Sequence, residues 1–390
     1  MKSSTGVHYI ALDHIRAVAA FLVVAWHFIH TDYNFPIPHE YTPSIFLFPF
    51  ALLDEGHTGV ALFMTLSGYL FAKLLDGRSI NYGAFLWNRA IRLLPLLVLV
   101  AIAAGVHMGF PGGVRAYLLL LAKGVALPTL PNGGWSITTE FHFYVLLPLL
   151  LWLLRRSGLL PLAILAASIA LRAWLHQHYG SVQWLAYFTI VGRIDQFVLG
   201  MVICRYRAFF AGRHMTALAT CTAFALFYWW FDSIGGFYGN GGYPSQTPIW
   251  IVMPTIEGLA YAILVAWYDQ SFAPRTSGVS GLVGRVGEYS YSIYLLHGFV
   301  ALRIPGSVDK RIMDLSNFYV ACSWALLFYL LMIPVGYLSY RFIESPFLKF
   351  RRRYIVDRAP SEAPATSSEI PDFPPPSHDP VPVLHPATTD

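Results

Sequence analysis

The sequence predicts an all-α polytopic membrane bundle with about ten transmembrane helices and both termini cytoplasmic. Three observations predict it. Apolar residues make up 56% of the 390-residue chain and charged residues only 12%, about half of the roughly 25% charged share of a soluble domain. The apolar residues are gathered into runs close to the ~20 residues that cross a ~30 Å hydrocarbon core. The basic residues lie between these runs and favour alternate gaps. Because they are scattered in this way, the net charge of +5 forms no nucleic-acid surface.

The runs, in order, are 9–29, 58–75, 90–108, 135–154, 159–175, 184–203, 215–231, 249–267, 289–302 and 317–340. A further run, 114–127, is interrupted by Lys123 and stops at Pro128, so periodicity leaves its crossing open. Charge decides it. With 114–127 not crossing and the N-terminus inside, 18 of the 26 Lys and Arg residues face the cytoplasm and six face out, while Arg16 and Arg193 lie within spans. A crossing at 114–127 would move Arg155, Arg156, Arg205, Arg207 and Arg213 outside, against the positive-inside bias. Residues 17–29 resemble a signal-peptide core, but Asp13 and Arg16 precede them and no small-x-small cleavage site follows. The first run is therefore expected to remain as a span.

The membrane domain is expected to occupy 1–353. Residues 354–390 hold nine prolines among Ser, Thr, Ala and acidic residues. Such a segment cannot bury enough apolar surface to offset its ordering entropy, so a disordered cytoplasmic tail is expected. Cys204, Cys221 and Cys322 each sit in an apolar stretch without CxxC spacing and read as small core residues.

Ionisable groups at membrane depth are costly and point to function. The first span carries Asp13, Arg16 and His27. Arg16 and His27 are 11 residues apart, a helical rotation within about 20° of three full turns and a rise of about 16 Å. They share one face, with Arg16 near the cytoplasmic surface and His27 deep towards the far side. A histidine titrates near neutral pH and can take a proton from a hydroxyl; alone, it reads equally as a histidine satisfied by a neighbouring helix. Tyr294 and His297, three apart, share a face that can line a cavity. Arg193 and Asp195 can form an ion pair inside the sixth span. Histidines cluster early (His8, His14, His27, His30, His39, His57), yet there is no HExxH. His27 and His30 are the one pair a turn apart within a span, so no metal is expected.

Seven segments in order resemble the acyltransferase-3 family of membrane proteins, which modify sugars and other hydroxyl-bearing molecules. They are LDHIRAVAAFLVVAWH (12–27), GVALFMTLSGYL (59–70), NRAIRLLP (88–95), WSITTEFHFYVLLP (135–148), GRIDQFVLG (192–200), YSYSIYLLH (289–297) and RFIESPF (341–347). His14 stands where the family more often has Gly, and Ala61 where it often has an acidic residue. The resemblance implies an O-acyltransferase of the cell (inner) membrane. It would move an acyl group, acetyl first among the candidates, from acyl-CoA to a hydroxyl of a carbohydrate or lipid-linked glycan. Acyl-CoA is then a substrate, and no permanently bound cofactor is expected.

His27 takes the role of base under this reading, with Arg16 and Glu140 organising the site. Arg89 and Arg92, one turn apart at the cytoplasmic mouth of the third span, suit the phosphates of coenzyme A, because guanidinium groups bind phosphate in planar bidentate pairs. Plain positive-inside flanking would also place arginines there. Ser67, Trp135, Ser136, Tyr144, Arg193, Asp195, Tyr294 and His297 fall in the matching segments as cavity or substrate residues. The rival class is a secondary transporter or flippase, which an inverted repeat would favour; the sequence shows none.

Overall fold

The structure is a computed structural model that describes residues 9–30, 48–75, 77–238, 242–301 and 303–356. Most of the expected tail (357–390), His8 and His39 lie outside the described residues. The described chain is almost wholly helical: α1 Ile10–Ile29, α2 Ala51–Asp54, α3 Gly59–Leu75, α4 Tyr82–His107, α5 Gly113–Lys123, α6 Trp135–Arg156, α7 Leu162–Tyr179, α8 Gln183–Phe188, α9 Ile190–Arg205, α10 His214–Ser233, α11 Met253–Ser271, α12 Gly278–Glu288, α13 Ser290–Leu296, α14 Gly298–Ala301, α15 Ile304–Arg311 and α16 Phe318–Ser339. Five helical segments are long and apolar enough to cross a bilayer: Ile10–Ile29, Gly56–Leu75, Tyr82–His107, Trp135–Arg156 and Phe318–Glu344.

The undecided run 114–127 forms α5, a helix of 11 residues and so about 16 Å long, half the thickness of a hydrocarbon core. Two expected runs are broken. Run 184–203 is divided at Thr189, whose backbone is extended (φ −121°, ψ 163°), into α8 and α9. Run 289–302 is divided at His297 into α13 and α14. The expected tail also begins too early. Ile355–Val356 forms a short strand, β2, paired antiparallel with β1 (Ser79–Ile80) in the register Ser79↔Val356 and Ile80↔Ile355.

The surface is inverted relative to a soluble protein. Leu94, Val98, Ile102 and Val106, four apart along α4, are all more than half or about half exposed, whereas Asp13, Arg172, Arg193, Asp195 and Glu257 are buried. A continuous apolar stripe facing outwards suits a hydrocarbon solvent.

At the centre, α3 packs against α1, α9 and α11. Helices in lipid gain little from apolar burial, so they associate where small residues let backbones approach. Gly68 of α3 lies against the backbone of Phe197; a Cβ there would stand 2.9 Å from Phe197 Cα. Reciprocally, a Cβ at Gly200 of α9 would stand 2.9 Å from Tyr69 N. In contrast, Gly83 has only the Asn81 side chain nearby, at 3.7 Å. Gly68→Ala is expected to cost about 1–3 kcal/mol and to lower the thermal unfolding midpoint of the purified protein. Gly83→Ala should match the wild type; equal midpoints for both variants would refute the close α3–α9 contact.

Candidate active site

Two cavities lie end to end inside the bundle. The first, about 150 Å³, is lined by Arg16 and Asp13 of α1, Ser67 of α3, Arg89 and Arg92 of α4, and Ser136, Glu140 and Tyr144 of α6. The second, about 310 Å³, is lined by Trp26 and His27 of α1, Trp135, Tyr187, Phe237, Tyr238 and His297. Val60 and Tyr294 line both, so the basic cavity and the histidine cavity adjoin at these side chains.

Local structure explains each placement. The 11-residue separation on α1 puts Arg16 in one cavity and His27 in the other. On α3, Val60, Phe63, Met64, Ser67, Leu70, Phe71 and Leu74 line the first cavity, a three-to-four spacing that defines one helical face. Arg16 Nη1 is paired with Asp13. The Tyr144 hydroxyl donates to Glu140, one turn away. Glu140 therefore sits with the arginines of the first cavity and does not line the cavity of His27.

The two histidine rings face each other, with centroids 4.7 Å apart and planes at 69°. His27 Nδ1 lies 2.9 Å from the Val23 carbonyl oxygen, and His297 Nδ1 contacts the Tyr294 carbonyl oxygen. A carbonyl oxygen only accepts, so each Nδ1 carries the proton and donates it. This fixes the neutral tautomer with a lone pair on Nε2. Such a His27 is held by its own helix in the form that accepts a proton.

Arg193 and Asp195 depart from the sequence expectation. They do not pair with each other and line neither cavity. Two residues apart on a helix, they point about 200° away from one another. Asp195 is paired with Arg172 Nη2 at 2.6 Å; Arg193 lies 3.5 Å from Glu257, whose other oxygen accepts from Tyr228 at 2.8 Å. Arg172, one of the six basic residues that the charge count turns outward, is completely buried in α7. Its Nη1 donates to the Val191 carbonyl (3.0 Å) and Arg193 Nε to the Tyr187 carbonyl (2.7 Å). Tyr187 lies in the last turn of α8, where the break leaves carbonyls without an intrahelical donor, and Val191 lies in the first turn of α9. Arg193 satisfies an open carbonyl of α8, and Arg172 ties down the start of α9.

Sequence reasoning passed over Asn88, Tyr291 and Arg351 in the first cavity and, Trp135 and Tyr294 apart, the aromatic wall of the second. The charge inside an apolar run was a usable signal for Arg172. Nothing in the sequence marks Tyr187 or Phe237, whose positions depend on tertiary packing. Glu55, beside this wall, accepts the Phe237 N–H on both carboxylate oxygens (3.1 and 3.2 Å). Burial, with the charge of Asp232, pushes its carboxyl up to about 8. Among the described residues, no group of His, Cys, Asp and Glu is arranged to hold a metal ion.

The arginine-lined cavity and the histidine-lined cavity share Val60 and Tyr294 in their walls, and comparison with known proteins gives the class of this bundle. The acyltransferase domain model of the acyltransferase-3 family matches residues 9–341. The chain belongs to this family and is a membrane acyltransferase that transfers groups other than amino-acyl groups. It is 27% identical over 342 residues to a protein named as a membrane-bound transacylase, BcsY of Komagataeibacter xylinus, covering 79% of this chain and 81% of the relative. It is 24% identical over 349 residues to the acyltransferase MdmB of Streptomyces mycarofaciens, covering 79% and 86%. It is 27% identical over 266 residues to the exopolysaccharide production protein ExoZ of Rhizobium meliloti (strain 1021), covering 63% and 76%. No solved structure gives a significant match.

Glu55 supplies a pH prediction. Its folded value, about 8, lies above its ordinary 4.5, so the folded state holds the proton more tightly than the unfolded state. The stability this confers is complete below about pH 4.5 and is lost as pH rises towards about 8. Glu55→Gln keeps an acceptor for Phe237 N–H without the titration. Thermal unfolding of both proteins across this range should show the variant gaining on the wild type as pH rises. Parallel curves would exclude a protonated Glu55.

Proposed function

We propose that this protein is a multi-pass O-acyltransferase of the cell membrane, with about ten spans and both termini cytoplasmic. It moves an acyl group, acetyl in the simplest case, from coenzyme A to a hydroxyl of a cell-surface or exported glycan. The observation that carries this reading is the pair of joined cavities, one lined by four arginines and the other by the facing histidines. The similarity to ExoZ, an exopolysaccharide production protein, supports a glycan acceptor.

In this reading the arginine end faces the cytoplasm, where acyl-CoA is made, and Arg89 and Arg92 hold its phosphates. The pantetheine arm passes Val60 and Tyr294 and carries the thioester towards His27, along the ~16 Å that separates Arg16 from His27 on one helix. The acceptor enters the second cavity from the other side. Its aromatic wall, with the rings of Trp26 and Tyr238 stacked at 6.1 Å, suits the apolar faces of a sugar. His27 Nε2 takes the hydroxyl proton as the oxygen attacks the thioester carbonyl. The carbon–oxygen bond forms, the carbon–sulfur bond breaks, and the proton passes to the departing sulfur. Trp26 Nε1–H is buried without an acceptor among the described residues, a donor available to the developing oxyanion.

Two substitutions test the two cavities separately. His27→Gln keeps a hydrogen-bonding group but cannot take the proton, so transfer should fall roughly 10²–10⁴-fold while coenzyme A still binds. His30→Ala, one turn further along α1, should lose little. Changing both Arg89 and Arg92 to Gln should weaken acyl-CoA binding at least about tenfold, with Lys a partial rescue because it lacks the planar fork. The assays are acyl transfer and coenzyme A binding at matched membrane abundance, with the product glycan weighed by mass spectrometry. Near-normal transfer by His27→Gln would remove it as the base.

A further inference from the structure

Beyond α16 the chain turns back towards the start of α4. After a 3-10 turn at Phe347–Phe350, residues 351–356 run as an extended strap that ends in β2. The strap is fastened along the turns of α4 that precede and present Arg89 and Arg92. Asn88 holds it twice, donating from Nδ2 to the Arg352 carbonyl at 2.7 Å and accepting the Arg352 N–H at 2.8 Å. Trp87 Nε1 donates to the Phe350 carbonyl at 3.0 Å, and Asn81 N–H donates to the Tyr354 carbonyl at 2.8 Å. Tyr354 is buried, with its ring against Phe85. Of the three consecutive arginines 351–353, Arg352 and Arg353 are exposed, and Arg352 lies over the Trp87 ring. Arg351 alone turns inward and lines the first cavity.

Among the described residues, the cations of this cavity outnumber its carboxylates. Arg16, Arg89, Arg92 and Arg351 line it against Asp13 and Glu140. Asp13 is engaged by Arg16 and Glu140 by the Tyr144 hydroxyl. Even with Glu344, whose charge acts on Arg92, there are four cations to three carboxylates. Burial and the charges of Arg92 and Arg89 push the Arg351 guanidinium down to about 10. Arg89 Nε is buried with no hydrogen-bond partner among the described residues. Clustered cations in a low-dielectric cavity are costly unless an anion joins them. A flanking arginine that served topology alone would sit in water, as Arg352 and Arg353 do.

We propose that the 351–356 strap is part of the donor site, and that Arg351 binds a phosphate of acyl-CoA beside Arg89 and Arg92. The proposal rests on the reading of acyl-CoA as donor. Arg351 lies outside the segments that resemble the family, the last of which ends at Phe347. It reaches the cavity only because Asn88 and Trp87 fasten the strap to α4.

The test is acyl transfer by the full-length protein in membranes, with acetyl-CoA varied at saturating acceptor, for Arg351→Gln, Arg351→Lys, Arg352→Gln and Arg89→Gln. Loss of a charge-assisted phosphate contact should raise the KM for acetyl-CoA about tenfold, leaving kcat within about twofold. Lys should fall between wild type and Gln, and Arg352→Gln should match wild type. A wild-type KM for Arg351→Gln while Arg89→Gln raises it overturns the strap assignment alone. A loss of kcat without a change in KM also overturns it. If neither variant raises KM, the acyl-CoA reading itself falls. Should Arg351→Gln not accumulate in the membrane, Arg351→Lys decides. A rise of about threefold or more supports the proposal, and a wild-type KM overturns it.

Discussion

The backbone contact between α3 and α9 at Gly68 and Gly200 is the constraint on which the remaining structure depends. Only residues without a Cβ allow it, and it fixes the rotation of α3 about its own axis. Once Gly68 and Thr65 face α9, the face that carries Val60, Met64, Ser67, Phe71 and Leu74, centred about 110° around the helix, is turned to form one wall of the basic cavity. α1 crosses the other end of α3 just as closely. A Cβ at Gly59 would stand 2.9 Å from the Val23 side chain, a residue whose carbonyl also receives the His27 proton. The packing that builds the bundle thus also sets the depth and direction of His27. In a solvent that gives little reward for apolar contact, small residues do this work.

Buried charge separates scaffold from site. Three cations among the described residues have a counter-ion on another helix: Arg172 with Asp195 at 2.6 Å, Arg193 with Glu257 at 3.5 Å, and the partly buried Lys73 with Asp269 at 2.6 Å. Asp269 also accepts from Tyr69 at 2.7 Å. Arg193 also satisfies the Tyr187 carbonyl at the end of α8. Among the described residues that line the first cavity, guanidinium groups outnumber carboxylates. A pair that fastens helices needs no third party, whereas an excess of guanidinium groups remains costly until an anion enters. That difference makes Arg89 and Arg92 candidates for binding and returns Arg193, which shares their residue type and lies in a family-like segment, to the framework.

What the sequence made legible follows from one-dimensional signals. Hydropathy located the long helices because membrane burial demands uninterrupted apolar residues. Helical periodicity placed Arg16 and His27 on one face, and the spacing alone gave their separation. The break at Thr189 was not legible, since neither Pro nor Gly stands at Thr189 or beside it. Arg193 takes the Tyr187 carbonyl in the last turn of α8 and Arg172 ties the start of α9 through Val191, tertiary partners that carry no local signal. At His297 the backbone stays helical (φ −58°, ψ −36°). Glu140 was expected to organise the site around His27, but its azimuth around α6 turns it to the arginines, and azimuth depends on neighbours. Arg351 was hidden among basic residues that positive-inside flanking already explained. Its distinction is the strap's return to α4, a contact across more than 260 positions that no periodicity encodes.

The arrangement of α1 gives the proposed reaction its direction. A single straight helix carries Arg16 at the arginine end and His27 at the histidine end, so the two substrates need not share an entrance. If donor and acceptor came from the same side, one would have to pass the other. Adjoining cavities avoid the conflict. In the proposed reaction the polyanionic end of the donor would stay among the arginines, and its uncharged arm alone would pass Val60 and Tyr294. The acyl group would then reach the aromatic cavity without a charged phosphate entering the apolar interior, where its desolvation is costly. In this geometry the separation of guanidinium groups from the histidine pair is what lets transfer across a membrane proceed without moving coenzyme A itself.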